Sequence, residues 1–329
     1  MVRTNVGVVH PGSMGAQVAA QAVAAGAGVR WLAEGRSAAT RERAAAVGLA
    51  AARSMAELTA GCEVILSVCP PAAALDVAQQ IAATGFDGVY VDANAISPRH
   101  MAQISEVLGA HGATVVDGGV TGPPPRTPGT TRLYLSGDAT AVESVRALFD
   151  GTLLTPVVLP GPIGRASALK LAFAAYNKIS YALAAEASAL AAGHGVLDEL
   201  RELAAHLLPD TPLARPDQLA GAGAKAWRWE PEMREIAEAW RGSGLPGSFA
   251  DAAAHTFDRW QAHKDDPAVP SDRLIADLMP RRPDEEGRRP DERTRRPDEE
   301  TLRPEEETHR PDEGGGRADE EDRLRDEEA

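Results

Sequence analysis

GVVHPGSMG, residues Gly7 to Gly15, is the stretch on which the fold turns. An apolar run, Val6 to Val9, gives way to a histidine-proline pair and then to two glycines, Gly12 and Gly15. Alanine and valine at helical spacing follow as far as Gly26. In the pattern G-x-G-x-x-G, which joins a buried strand to a helix, the first glycine makes the turn. The second admits a ligand against the backbone, and the third packs helix on strand. Gly12 and Gly15 fill the second and third places, while His10 stands in the first and Pro11 follows it. Pro11 has no N–H, so it stiffens the turn but cannot donate a hydrogen bond.

The surroundings decide what this near-match means. Short apolar runs at Val6–Val9, Val29–Ala33, Val64–Val68, Val89–Asp92, Thr114–Asp117, Leu133–Ser136 and Leu153–Leu159 alternate with helical stretches, among them 13–25, 38–47 and 141–149. Such alternation predicts an α/β fold with a doubly wound Rossmann sheet of parallel strands and crossover helices. The glycines then open the first helix, whose free N–H groups and partial positive charge suit a dinucleotide pyrophosphate. From about Ala166 to Ala192 the chain is a long alanine- and leucine-rich run ended by Gly193 and Gly195, with only helical patterns beyond it. The expected organisation is a dinucleotide-binding domain over 1–162, an all-α substrate and dimerisation domain over 163–280, and a tail over 281–329.

The tail consists of seven heptapeptides, beginning RRPDEEG and RRPDERT, with 12 arginines against 20 acidic residues. More than half of the net charge of −14 therefore sits there. Proline in the first five repeats and the lack of an apolar seam argue against a coiled coil and predict disorder. Docking to a basic partner is the alternative use of such a run. The remainder is mildly acidic, with no basic patch interleaved with aromatics, so nucleic acid is not an expected partner. No uninterrupted apolar run reaches the ~18 residues of a membrane span, and MVRTNVGVV enters a strand without a leader's apolar region. Two cysteines, Cys62 and Cys69, offer neither a disulfide framework nor metal spacing. A cytoplasmic protein without a metal is the expectation.

The end of the second strand bears on the nucleotide. It reads LAEGRS, with Glu34 near the place where an acidic residue would hold a ribose 2′-hydroxyl, and Arg36 and Ser37 directly after. A guanidinium and a hydroxyl there suit a 2′-phosphate, which favours NADP, while Glu34 keeps NAD possible. On the long helix Lys170, Phe173, Ala174, Asn177 and Tyr181 share one face. A lysine in such company either snorkels to water or, with a lowered pKa, transfers protons.

HPGSMG, EGRS, DANAISP, DGGVTGPPP, TRLYLSG and GPIGRASALKLAFAAYNK occur in the order found in the β-hydroxyacid dehydrogenase and 6-phosphogluconate dehydrogenase superfamily. The chain most resembles a branch of phosphogluconate-dehydrogenase-related NAD(P)-binding oxidoreductases, in which histidine-proline precedes the glycines and a stretch like KAWRWEPEMREIAEAWRGSGLP lies near the C-terminal end. The resemblance covers about residues 5 to 265. It implies that Gly12, Ser13, Met14 and Gly15 hold the pyrophosphate and that Arg36 with Ser37 holds the 2′-phosphate. Cys69 and Pro70 match the loop along the cofactor. Asn94 and Ser97 match the loop bordering nicotinamide and substrate, and Thr121 and Gly122 match a Ser-Gly pair for the substrate carboxylate. Lys170 matches the superfamily's catalytic lysine, and an interlocked homodimer is implied.

The departures shape the expected chemistry. Four residues after the lysine the relatives carry asparagine, where this chain has Ala174; Asn177 lies one turn further on the same face. Thr121-Gly122-Pro123 replaces Ser-Gly-Gly. The leading expectation is an NADPH-dependent oxidoreductase acting on a small carbonyl or hydroxy-acid substrate, with Lys170 as general acid and base. Reduction of a cyclic imine is the alternative within the fold, and a non-catalytic dinucleotide-binding scaffold is the alternative of another class.

Overall fold

The computed structural model describes residues 4–280. The heptapeptide tail, and with it the expectation of disorder, lies outside the described residues.

The chain runs β1 (Asn5–Val8), α1 (Ser13–Ala24), β2 (Gly28–Leu32), α2 (Ala38–Ala46), β3 (Ala50–Ala52), α3 (Met55–Ala60), β4 (Val64–Ser67), α4 (Ala74–Ala82), β5 (Val89–Asp92), α5 (Pro98–Gly109) and β6 (Thr114–Thr121). It continues through β7 (Thr131–Gly137), α6 (Ala139–Ala147), β8 (Leu154–Val158) and the long α7 (Arg165–Gly193). The helices α8 (Leu197–Leu207), α9 (Asp217–Gly223), α10 (Ala226–Gly242), α11 (Ser248–Asp258) and α12 (Ser271–Leu278) complete it. Eight strands form one sheet in the order β3-β2-β1-β4-β5-β6-β7-β8. Strand order reverses between β1 and β4, and the crevice beyond the carboxyl ends of such a pair is where open α/β sheets bind ligands.

The sheet differs from a wholly parallel one at a single place. β6 and β7 are antiparallel, with Val116 opposite Gly137 and Thr121 opposite Arg132. The nine residues between them are too few for a crossover helix, so the chain can only double back. Gly122 begins that return in the left-handed region, at φ +103°. β3, three alanines beside β2, is too short and featureless to stand out in the sequence.

Two apolar layers cover the sheet. Val18, Ala19, Ala22, Trp31, Val142, Val145 and Phe149 pack on one face, and Leu58, Val77, Ile81, Met101, Ile104 and Leu108 on the other. A third cluster holds α7 against the last helices through Trp229, Met233, Phe257, Trp260 and Leu274. Trp229 and Met233 are thus core residues. α7 itself lies close on β6 because Gly119 has no side chain. A Cβ there would sit 2.9 Å from the Ala166 carbonyl oxygen and 3.4 Å from the Lys170 Cβ.

Candidate active site

The glycine loop lies at the reversal of strand order. Gly12 is the N-cap of α1, with φ −68° and ψ −170°, and no side chain caps the helix. Its φ is open to any residue, and a Cβ at Gly12 would meet no atom within 4 Å. Nothing internal to the fold therefore demands glycine at 12, whereas close approach of a ligand to its backbone would. Gly15 is demanded internally: a Cβ there would overlap the His10 carbonyl oxygen. Pro11 is buried, Ser13 exposed, and Met14 half-buried against the core.

His10 and Arg36 face one another across the ends of β1 and β2. His10 Nδ1 and Arg36 Nε are both buried without a hydrogen-bond partner. Burial, and then the nearby Arg36 guanidinium, push the His10 imidazole down to about 4, so it is neutral at physiological pH. Buried polar atoms are rarely left unpaired. Two of them beside an open glycine loop fit a bound dinucleotide that supplies the missing partners. Ser37 is committed as the N-cap of α2, accepting from the Thr40 N–H at 3.3 Å. Glu34 is exposed. One cation went unread in the sequence: Arg43, whose Nε donates to the Pro11 carbonyl at 3.5 Å. It lies in the second turn of α2, the helix that begins directly after Arg36 and Ser37.

The ends of β4 and β5 are knitted together by Asn94. Its Oδ1 accepts the Cys69 N–H at 2.5 Å, and its Nδ2 donates to Ser67 Oγ at 3.1 Å and Asp92 Oδ2 at 2.9 Å. Asn94 is 2% exposed, so it shapes the cleft floor from within. Cys69 is half-buried, its thiol pushed up to about 11 mainly by burial, while Pro70 is exposed at the rim. Ser97 is buried and caps α5, accepting the His100 N–H at 3.2 Å, while its own N–H donates to Glu235 at 3.1 Å. Glu235 also pairs with His100 at 3.0 Å, which ties α5 to α10.

Lys170 comes from the first third of α7. Its Nζ donates to the Ala93 carbonyl oxygen at 3.2 Å, just beyond the end of β5. Burial lowers its pKa, with the Glu232 carboxylate the largest opposing influence. Asp117, fully buried on β6, caps this helix. Its carboxylate accepts from the N–H groups of Gly164 (2.8 Å), Ala166 (2.9 Å) and Ser167 (3.1 Å), and from the hydroxyls of Ser136 (2.9 Å) and Ser167 (2.6 Å). Glu232 on α10 pairs with Lys178, whose ammonium lies 5.3 Å above the Trp229 ring.

The expected substrate residues are not all gathered at the lysine. Thr121 is half-buried at the end of β6, and Gly122 is exposed and held tightly against Thr130. Asn177 is exposed and roughly 10 Å further along the α7 axis than Lys170, at 1.5 Å per residue. It lines a separate cavity of about 350 Å³ with Tyr176, Ser180, Tyr181 and Gln218. Lys170 is instead surrounded by the Ala93 carbonyl and the carboxylates of Asp92, Asp117 and Glu232.

Comparison with known proteins accords with this geometry. The family model described as the NAD binding domain of 6-phosphogluconate dehydrogenase matches residues 5–152. A second, described as a domain of unknown function (DUF1932), matches 191–260. No curated protein matches the chain in sequence. Among solved structures, a Mycobacterium tuberculosis 3-hydroxyisobutyrate dehydrogenase with L-serine is 18% identical. It covers 85% of this chain and 100% of its own, with a TM-score of 0.64. Psf3 in complex with NADP+ and 2-OPP is 19% identical, covers 83% and 100%, and has a TM-score of 0.60. An Aspergillus terreus reductive aminase with NADPH4, cyclohexanone and allyl amine is 18% identical, covers 84% and 99%, and has a TM-score of 0.52. Family match, sheet order and glycine loop thus define a dinucleotide-binding domain over residues 5–152. Beyond that domain, the chain shares its fold with these solved structures.

Proposed function

We propose that this protein is an NADPH-dependent oxidoreductase acting on a small carbonyl or hydroxy-acid substrate, with Lys170 as the proton-carrying group. A single observation carries the assignment: α7 delivers the Lys170 ammonium to the carboxyl end of β5, beside the crevice that the glycine loop opens. In this reading Gly12, Ser13, Met14 and Gly15 cradle the pyrophosphate, and Arg36, with Ser37, meets the 2′-phosphate. The orphaned nitrogens of Arg36 and His10 support that assignment. Glu34 is free to serve NAD, and the preference for NADP rests on Arg36.

The bound nicotinamide would supply or accept a hydride. In reduction, Lys170 protonates the substrate oxygen as hydride reaches the carbonyl carbon; in oxidation, the neutral amine takes the hydroxyl proton. Burial of Lys170 favours both roles, because a lowered pKa brings its two protonation states closer in energy near neutral pH. Thr121 and Gly122 at the end of β6 are assigned to the substrate's far side; Asn177, which opens onto another cavity, is left outside it.

Reduction of a cyclic imine is the second reading. The observation in its favour is Ala174, 7% exposed and part of the apolar core, where the hydroxyacid relatives carry asparagine. The division at 162/163 and an interlocked homodimer in a reducing, cytoplasmic compartment belong to the same proposal. Leu169, Tyr176, Leu183 and Leu190 form an exposed apolar stripe with a seven-residue repeat along α7, as a self-pairing helix would.

A paired panel of ketoacids and cyclic imines, followed by NADPH absorbance with NADH as control, tests the function. Turnover of a ketoacid with NADPH preferred is the expected result. Turnover confined to imines supports the second reading. NADPH binding with no turnover of any member contradicts both and returns the scaffold.

A further inference from the structure

We propose that Asp92 is the positioning residue for Lys170: its buried carboxylate staples Asn94, and the staple aims the Ala93 carbonyl on which the Lys170 ammonium rests. The proposal rests on the reading of Lys170 as the proton carrier.

The geometry is local and closed. Asp92 Oδ1 accepts the Asn94 N–H at 3.0 Å, and Oδ2 accepts Asn94 Nδ2 at 2.9 Å. The second amide hydrogen of Asn94 goes to Ser67 Oγ, and its oxygen accepts from Cys69 N. The Ala93 N–H in turn donates to the Ser67 carbonyl at 2.9 Å. Ala93 is thus clamped on both sides, and its carbonyl oxygen has one direction available. That direction is toward Lys170 Nζ, 3.2 Å away. An ammonium carries three donors, so anchoring one leaves two for the cleft. Tyr90 adds a longer bond to Asp92, hydroxyl to Oδ2 at 3.4 Å.

Charge acts in the same sense. The groups that face Lys170 are Asp92 on β5, Asp117 on β6, Glu232 on α10 and Lys178 on its own helix. Asp92 raises the proton affinity that burial lowers. Its own carboxyl is pushed up to about 6 by burial, so at neutral pH it is ionised and accepts both Asn94 bonds.

Competitive acetylation of the full chain tests this without a substrate. Acetic anhydride is the probe, and labelling of Lys170 is read by mass spectrometry against Lys178 and the exposed Lys264. Removing the opposite charge of Asp92 weakens proton binding by Lys170 further, so Asp92→Asn should raise Lys170 labelling several-fold at neutral pH. Lys178 labelling should stay unchanged. An unchanged Lys170 overturns the proposal, and so does an equal rise at Lys178, which would mean general loosening. If Asp92→Asn does not fold, Asn94→Ala cuts the same staple; a several-fold rise at Lys170 is expected, and none overturns the proposal. Tyr90→Phe keeps both Asn94 bonds and should leave Lys170 labelling unmoved; a several-fold rise there also overturns it. The assignment of Lys170 as proton carrier stands or falls separately, on turnover of Lys170→Ala.

Discussion

His10 occupies the place where the glycine pattern has its turn-making residue, and its imidazole is half-buried and neutral beside a guanidinium. The turn was legible in the sequence, because Gly12, Gly15 and the helix after them are local. The isolation of His10 Nδ1 and Arg36 Nε was not, because it depends on how the ends of two strands meet. This isolation has a thermodynamic consequence. The folded-state value of His10, about 4 against an ordinary 6.5, means that the unfolded chain binds a proton first as pH falls. Its contribution to stability is therefore full above pH 6.5 and lost on acidification toward pH 4. Asp92 has the opposite sign over nearly the same window. Its raised value, about 6 against 3.8, favours the folded state below 3.8 and is lost as pH rises through 6. Urea unfolding of wild type and His10→Gln across this range should show the variant losing less stability on acidification. Parallel curves for the two proteins would contradict a buried neutral imidazole.

At the scale of elements, α7 shows what sequence patterns miss. Its extent was plain from the alanine-rich run and the glycines behind it, and the structure ends it at Gly193. What caps its N-terminus gave no local sign, since Gly164 has no side chain to cap with. The cap comes from Asp117, 47 residues earlier, which gathers three backbone N–H groups of the first turn. Only the folded sheet brings β6 under α7, so no pattern along the chain could announce it. Asp117→Ala would orphan those donors in a dry site, and each buried unsatisfied group costs ~1–3 kcal/mol. Equilibrium unfolding should show a loss of about 3 kcal/mol or more; a loss below about 1 kcal/mol would mean that water replaces the carboxylate. The antiparallel β6–β7 pair is a second case. DGGVTGPPP was conspicuous in the sequence, but whether its prolines end a crossover or a hairpin depends on loop length, which the true strand ends alone reveal.

For the whole molecule, alternation of strands and helices was enough to name the fold, because each βαβ unit follows from neighbouring residues. The candidate site is harder to read, since the segments that follow β1, β2, β4 and β5, the end of β6 and α7 contribute to it from across some 160 positions. Lys170 stood out as a charge among alanines and leucines. Its supports did not: Ala93 is an unremarked backbone carbonyl, and the Glu232–Lys178 pair joins α10 to α7. Asn177 shares a face with Lys170, yet it opens onto a different cavity, so a shared helical face was a poor guide to a shared site. On the proposed function, Lys170 moves the proton while the glycine loop and Arg36 hold the dinucleotide. The most direct measurement compares wild type and Lys170→Ala at saturating NADPH on the best substrate of the ketoacid and imine panel, with NADPH affinity determined alongside. Unchanged NADPH affinity and a fall in kcat of about 10²–10⁴-fold, the usual worth of a positioned general acid, are expected; full turnover by the variant would overturn the role of Lys170.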